Sequence, residues 1–398
     1  MSDLIARIKS LSEEHFSSVL DIRRHLHANP ELSFQEHNTA NFIETELQKL
    51  GITNYERMAD TGITFILDGS EDNGKVIALR ADIDALPILE ANDVDYKSKN
   101  EGVMHACGHD VHTASLLGAA HILSNLKDQF KGKIKFIFQP GEEKLPGGAS
   151  LMIKEGILEN PKPERILGQH VMPFIDSGKV GFRKGMYMAS ADEIYFTVKG
   201  KGGHAAMPET LIDPVLITSH IIVALQQVVS RRSSPKIPCV LSFGDVHANG
   251  ATNVIPEEVK VKGTFRTYDE EWRAEAHEIM AEMAQGIAKA MGGSCEFDVH
   301  KGYPHLKNHP EYTQFNMDRA KEYLGDDKVE EIDLWLAGED FAFYSHHVDA
   351  CFYRLGTRNE SRGIVSGVHT PTFDIDEDAL KTGMGLMSWL AVSELNKA

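Results

Sequence analysis

The chain has 398 residues, 42% hydrophobic and 25% charged, the make-up of a soluble globular protein too long for one core. Its net charge of -18 argues against nucleic acid or an anionic membrane surface as partner, and no segment is long and apolar enough to span a bilayer. The four cysteines, Cys107, Cys239, Cys295 and Cys351, have no paired spacing; no disulfide framework is expected, and the last three are expected as buried small hydrophobes.

The first twenty residues are amphipathic and charged, without the apolar core of a secretion signal, so a reducing cytoplasm is the expected compartment. Leu4, Ile5, Ile8, Leu11, Phe16, Leu20 and Ile22 recur near helical spacing and predict a helix over 3–28, ended by Asn29-Pro30. Arg23, Arg24, His25 and His27 fall in its last turn, where cations suit the helix dipole. A second helix, 36–50, stops at Gly51. Strands follow at 62–68 and 75–80, the second running into Asp82 and Asp84, two carboxylates two residues apart.

Next comes His105-Ala106-Cys107-Gly108-His109-Asp110. In extended backbone Cys107 and His109 leave the same face, and a thiolate with an imidazole suits zinc or a similar ion. A helix over 111–126 carries small residues for close packing on a sheet. The apolar strand 133–138 empties into Gln139-Pro140-Gly141-Glu142-Glu143, whose adjacent carboxylates point apart and can take different tasks. After a short helix, 149–155, a strand at 165–167 ends in Gly168-Gln169-His170. Ligands of open α/β sheets collect at such strand ends.

From about residue 189 the pattern changes. Strand 192–199, a glycine-rich loop holding His204, helix 213–232, strands 237–247 and 257–268, helix 270–291 and strand 293–299 give the order β-α-β-β-α-β, the split βαβ or ferredoxin-like unit. The chain then returns with helix 310–324, Gly338-Glu339-Asp340-Phe341, strand 350–355, His369 in a turn, and a mostly helical 374–395. The expected domains are 1–188 and 300–398 as two parts of one catalytic domain, with 189–299 inserted between them.

Cys107, His109, Glu143, His170 and His369 are five soft or borderline ligands, more than one tetrahedral zinc site takes. Two metals sharing a bridging thiolate and a water would use them, leaving Glu142 as general base.

These runs, with Leu79 to Pro87, Gly202 to Ala205, Ala251 to Pro256, Gly263 to Arg266, Gly338 to Phe341 and Val368 to Pro371, resemble the N-acyl-amino-acid amidohydrolase family, which includes hippurate hydrolases and auxin-conjugate hydrolases. That family lies in the dinuclear zinc carboxypeptidase and aminoacylase superfamily. The resemblance spans nearly the whole chain and implies a catalytic α/β domain with a mixed central sheet, interrupted by a ferredoxin-like α+β domain that serves as lid and dimer contact. It implies Cys107 as bridging ligand, His109, Glu143, His170 and His369 as terminal ligands, and Glu142 as base. Asp84 matches a position that orients the site. His204 would polarise the scissile carbonyl in the partner subunit's site, and Asn253, Arg266 and Gly338 match substrate-binding positions. The implied cofactors are two divalent ions per subunit, zinc first, with manganese, cobalt or nickel as alternatives. The implied reaction is hydrolysis of an N-acyl-L-amino acid. The rivals are a dinuclear dipeptidase or aminopeptidase, a metal-dependent binding protein, which loss of Glu142 or of ligands would have supported, and a dimer with a merely structural zinc, which five ligands and a spare glutamate fit poorly.

Overall fold

Apolar runs with a period of two or of 3.6 residues become strands and helices. The computed structural model describes residues 2–397. The chain forms two units, one of Met1–Gly185, Lys307–Leu334 and Asp340–Ala398, the other of Met186–Leu306 and Trp335–Glu339.

The first unit supplies β1 (Tyr55–Met58), β2 (Gly62–Asp68), β3 (Val76–Asp82), β4 (Lys133–Gln139), β5 (Arg165–Asp176) and β6 (Val180–Phe182). The second supplies β7 (Asp192–Lys199), β8 (Cys239–Ala248), β9 (Glu258–Thr267) and β10 (Ser294–His300). The first resumes with β11 (Val329–Glu331) and β12 (Asp349–Arg358). Its sheet has the order β1-β2-β4-β3-β5-β12-β6-β11. The central strands β4, β3, β5 and β12 are parallel. β1 and β2, β2 and β4, and β12 and β6 pair antiparallel, so the sheet is mixed. β3 is buried at every position, the pattern of a central parallel strand. The short strands β1, β6 and β11 lie outside the expected elements; three or four residues carry too little alternation to reveal them.

Helices α1 (Ser2–Ala28), α2 (His37–Lys49), α3 (His109–Ser124) and α4 (Gly148–Lys154) belong to this unit, with a C-terminal helix at Ala379–Leu395. α3 packs between α1 and the C-terminal helix. A Cβ on Gly118 would stand 2.7 Å from Met384 Sδ and 3.1 Å from Val19 Cγ2, so the three helices meet only because that position has no side chain.

The last turn of α1 differs from its expected role. Arg23 and His27 are fully buried. Arg23 Nε donates to Asp110 at 2.9 Å, and its Nη2 to Asp374 at 3.0 Å. The His27 nitrogens stand 2.8 Å from Asp110 and 3.1 Å from Glu90. Burial and Arg23 lower the His27 pKa, but Asp110 and Glu90 outweigh them and raise it, which favours the charged ring between the two carboxylates. The helix dipole is therefore not what these cations answer; Asp110 is.

In the second unit the order β7-α5-β8-β9-α6-β10, with α5 at Pro214–Gln227 and α6 at Glu270–Ala290, gives an antiparallel sheet β8-β9-β7-β10. This is the ferredoxin-like arrangement. Asp213 and Asp269 cap the two helices by accepting backbone N–H groups of Val215 and Trp272. The expected helix 213–232 stops being α-helical at Gln227 and finishes as a wider turn, Val228–Arg232. Cys351 is buried as expected, whereas Cys239 and Cys295 are only half-buried. Among the described residues no helix is long and apolar enough to cross a membrane.

Arg23→Met would leave Asp110 and Asp374 short of their cation. The expected loss is about 3–5 kcal/mol, the usual cost of breaking a buried ion pair. Urea unfolding measures it, and a change below about 1 kcal/mol would show that the pair is dispensable.

Candidate metal centre

The strands end in an order that gathers donors. β3 and β4 finish in register, Asp82 beside Gln139, and each runs into a loop carrying carboxylates. β5 keeps pairing with β12 through His170 opposite Arg354, but its ladder with β3 ends at Arg80 opposite Gly168. His170 is thus within a twelve-residue strand and not at its end, as the sequence suggested. At His170 the strand β5 is therefore no longer paired with β3, which stays paired with β4 as far as Asp82.

Cys107 and His109 are not in extended backbone either. Gly108 is left-handed, φ +83°, and His109 opens α3. A Cβ on Gly108 would meet Val171 Cγ2 at 2.6 Å, so glycine is required twice over, for backbone and for space. The turn does the gathering that strand geometry was expected to do.

Cys107 Sγ lies 3.4 Å from His170 Nε2 and 3.2 Å from His369 Nε2. His369 Nε2 is also 3.2 Å from Glu143 Oε1. Two sets of potential ligand atoms result, Cys107 with His109 and His170, and Cys107 with Glu143 and His369, each within 4.8 Å internally. His109, Glu142 and Glu143 form a further such set. The structure therefore brings together all five residues singled out as ligands, and Glu142 with them. His369 adopts φ +60° and its backbone N–H donates to Ala106 O at 2.7 Å, which pins its turn to the Cys107 loop.

His170 and His109 each have their other nitrogen occupied. His170 Nδ1 donates to Val171 O at 2.8 Å, turning Nε2 toward Cys107. His109 Nδ1 meets Asp84 Oδ1 at 3.1 Å. Asp84 also accepts from Ser33 Oγ at 2.6 Å and from the backbone N–H of Glu143 at 3.0 Å, so one carboxylate orients two candidate ligands.

The electrostatics favour a cation. Burial would lower the His109 pKa, but Asp82, Asp84 and Glu143 raise it to about 10. Burial, with Glu143, Glu142 and Asp82 close by, pushes the Cys107 thiol well above the ordinary range. A thiolate there needs a compensating positive charge. Burial and Arg354 keep His170 neutral, as a ligand must be. His109 Nε2 and Glu143 Oε1 are buried and make no hydrogen bond among the described residues, Glu143 Oε1 facing only the ion-pair contact with His369 Nε2 given above. Unsatisfied buried donor atoms beside a buried thiol fit divalent metal ions.

Several supporting residues were not legible beforehand. His112 Nδ1 donates to Asp82 at 2.6 Å while its Nε2 accepts the N–H of Val171 at 2.9 Å, fixing the backbone beside His170. Its place one turn after His109 on α3 was the available signal. Glu36, read only as a helix start, accepts the N–H of Gly141 at 2.8 Å and the hydroxyl of Thr61 at 2.7 Å, holding the loop that carries Glu142.

The remaining candidates lie in the second unit. His204 is exposed and sits on a two-residue ladder opposite Val254, next to the exposed Asn253, whose carbonyl accepts the N–H of Ala205. Ala206 N–H donates to His204 Nδ1 at 3.1 Å, which leaves the ring proton on Nε2. Arg266 is half-buried on β9, and a Cβ on Gly338 would stand 3.8 Å from its Nη1.

Residues 78–392 match peptidase family M20/M25/M40, and the chain belongs to that family. It is 44% identical over 304 residues to the N-acyl-L-amino acid amidohydrolase of Geobacillus stearothermophilus, covering 76% of this chain and 81% of the relative. It is 37% identical over 399 residues to thermostable carboxypeptidase 2 of Saccharolobus solfataricus, covering 99% and 100%. The Bacillus subtilis YXEP protein, described as a dinuclear metal binding peptidase from the M20 family, superposes with a TM-score of 0.81 at 34% identity, covering 97% of this chain and all of that one.

Asp84→Asn keeps the shape but presents an amide N–H₂ to groups that already donate. Metal affinity, measured by competition with a chelator, is expected to fall about 10–100-fold. A change under about threefold would remove Asp84 from its orienting role.

Proposed function

We propose that this chain is a metal-dependent amidohydrolase that cleaves the amide bond of N-acyl-L-amino acids, giving a carboxylic acid and a free amino acid. The observation that carries the reading is the pair of donor sets meeting at one buried thiol, with a second glutamate adjacent. Membership of the family and the amidohydrolase relative support the reaction class. The dinuclear neighbour supports two divalent ions. Zinc suits thiolate and imidazole best, while manganese, cobalt and nickel also accept imidazole and carboxylate.

Cys107, His109, Glu143, His170 and His369 would hold the two ions. When bound, the ions polarise the scissile carbonyl and acidify the attacking water. Glu142 takes the water's proton on its carboxylate and returns it to the departing nitrogen. His204, with its proton on Nε2, donates to the developing oxyanion. Asn253, Arg266 and Gly338 receive the amino-acid portion, Arg266 pairing with its free carboxylate. His204 serves the site of a second subunit, in a homodimer joined through the second unit. A thiolate ligand fits a reducing cytoplasm.

A second reading, release of a C-terminal residue from a peptide, is favoured by the name of the Saccharolobus relative. It uses the same atoms, since a peptide bond beside a free carboxylate is also an acyl amino acid. A panel of N-acetyl, N-benzoyl and indole-acetyl amino acids beside N-blocked dipeptides, each assayed with zinc, manganese, cobalt and nickel, separates the two. The expected ranking puts simple acyl amino acids first; preference for the dipeptides would replace the first reading by the second.

Glu142→Gln is expected to keep two metals per chain by elemental analysis while kcat falls about 10²–10⁴-fold. A kcat within a few-fold of the parent would end its role as base. Mixed Glu142→Ala and His204→Ala subunits are expected to regain part of the activity, because one site in the heterodimer has both residues intact. Heterodimers verified by mass that stay inactive would show that His204 does not act across subunits.

A further inference from the structure

Arg80 is a fully buried guanidinium on the central strand β3. It donates from Nη1 to Asp82 at 2.6 Å, from Nη2 to Asp340 Oδ1 at 2.8 Å, and from Nε to Gln139 Oε1 at 2.9 Å. Gln139 passes its own amide protons to Asp340, at 2.9 Å to Oδ1 and 2.8 Å to Oδ2. The backbone N–H of Ala149, in the first turn of α4, donates to Asp340 Oδ2 at 2.9 Å. The buried carboxylate of Asp340 is thus held by donors from three elements, β3, β4 and α4. A carboxylate fixed by an Arg, a Gln and a backbone amide has little rotational freedom left.

The backbone N–H of the same residue donates to Glu142 Oε1 at 3.3 Å. Side chain and main chain of Asp340 therefore face two ways, one into the core of the sheet and one onto the glutamate proposed as base. Glu142 is itself 6% exposed and stands three residues beyond Gln139, one of the groups that hold Asp340. From the other side its loop is held by Glu36, through Gly141.

We propose that Asp340 is a positioning residue for Glu142: the Arg80–Gln139–Asp340 cluster sets where the amide of residue 340 stands, and that amide sets where one oxygen of the base stands. The inference rests on Glu142 as base and goes beyond it, since residue 340 touches neither substrate nor metal in this role. General bases act through geometry at the scale of a hydrogen bond, and a displacement near 1 Å costs on the order of a hundredfold.

Asp340→Asn removes the charge at nearly constant volume and turns an N–H₂ toward Gln139 Nε2 or the Ala149 amide, both donors. The variant is expected to lose kcat about 10–100-fold, with KM within twofold of the parent and two metals retained. Gln139→Met takes away the two Gln139 donors to Asp340, and with them the Oε1 that accepts from Arg80 Nε; it is expected to give a smaller loss of kcat in the same direction and carries the test if Asp340→Asn does not fold. Each substitution is then repeated in a Glu142→Gln background, using the best substrate of the acyl amino acid panel. If Asp340 acts through Glu142, its effect on the residual kcat there shrinks to less than twofold. Full additivity in that background, a rise in KM at constant kcat, or loss of metal matching the loss of activity would each overturn the proposal. Parental kcat in Glu142→Gln alone would instead overturn the base assignment, so the two failures are distinguishable.

Discussion

Burying carboxylates is the constraint on which the rest of this structure depends. Asp82, Asp84, Asp110, Glu142 and Asp340 are all shielded from water around one end of the sheet. Each desolvated charge costs several kcal/mol unless something nearby repays it. The repayment is local and paired. Arg23 and His27 answer Asp110, Arg80 answers Asp82 and Asp340, and His109 answers Asp84. Burial alone would raise the pKa of Asp82 and of Asp110, yet their cations hold both carboxyls below the ordinary range. Beside Cys107 the nitrogen groups within reach are imidazoles in place of arginines. That change marks where a removable cation belongs: arginine cannot surrender its proton, and histidine can.

The same constraint explains why the supporting cast is so rigid. His112 bridges Asp82 to the backbone of Val171, and Asp84 bridges His109 to the backbone of Glu143. Every orienting carboxylate therefore fixes a side chain and a piece of main chain at once. A metal ligand set built this way is preorganised by hydrogen bonds that would otherwise be lost to water.

Most elements of the fold were legible because their signals are local. The apolar run Val76–Asp82, the helical period of residues 2–28 and the β-α-β-β-α-β order all survive in short windows of sequence. The donor residues were legible too, since each stands in a run of unusual composition. What was hidden is what joins distant segments. Arg23 and Asp110 are 87 residues apart, and Arg80 and Asp340 are 260 apart; no periodicity connects them. The two misread placements have one cause. A two-residue spacing was taken as strand geometry at Cys107 and His109, where a left-handed glycine makes a turn, and a short apolar run was taken as a whole strand at 165–167, where pairing with β12 carries it on to Asp176.

The division of residues between the units has a chemical logic of its own. The donors that could hold metal, and the glutamate read as base, belong to the first unit, on turns, a helix start and the strand β5 of a unit with a large core. His204, Asn253, Arg266 and Gly338 belong to the second, which has a separate core of its own. In the proposed reaction Asn253, Arg266 and Gly338 meet what flanks the scissile bond, and His204 meets its developing oxyanion. Amide hydrolysis makes the same demands at the reacting atoms whether the acyl group is acetyl, aromatic or peptidyl. Selection among those substrates must then come from groups outside the metal set. In the proposed reaction, changes at Asn253, Arg266 or Gly338 alter which amide is taken and leave the buried charge balance of the first unit in place, whereas a change at Asp84 or Arg80 breaks that balance whatever the substrate is.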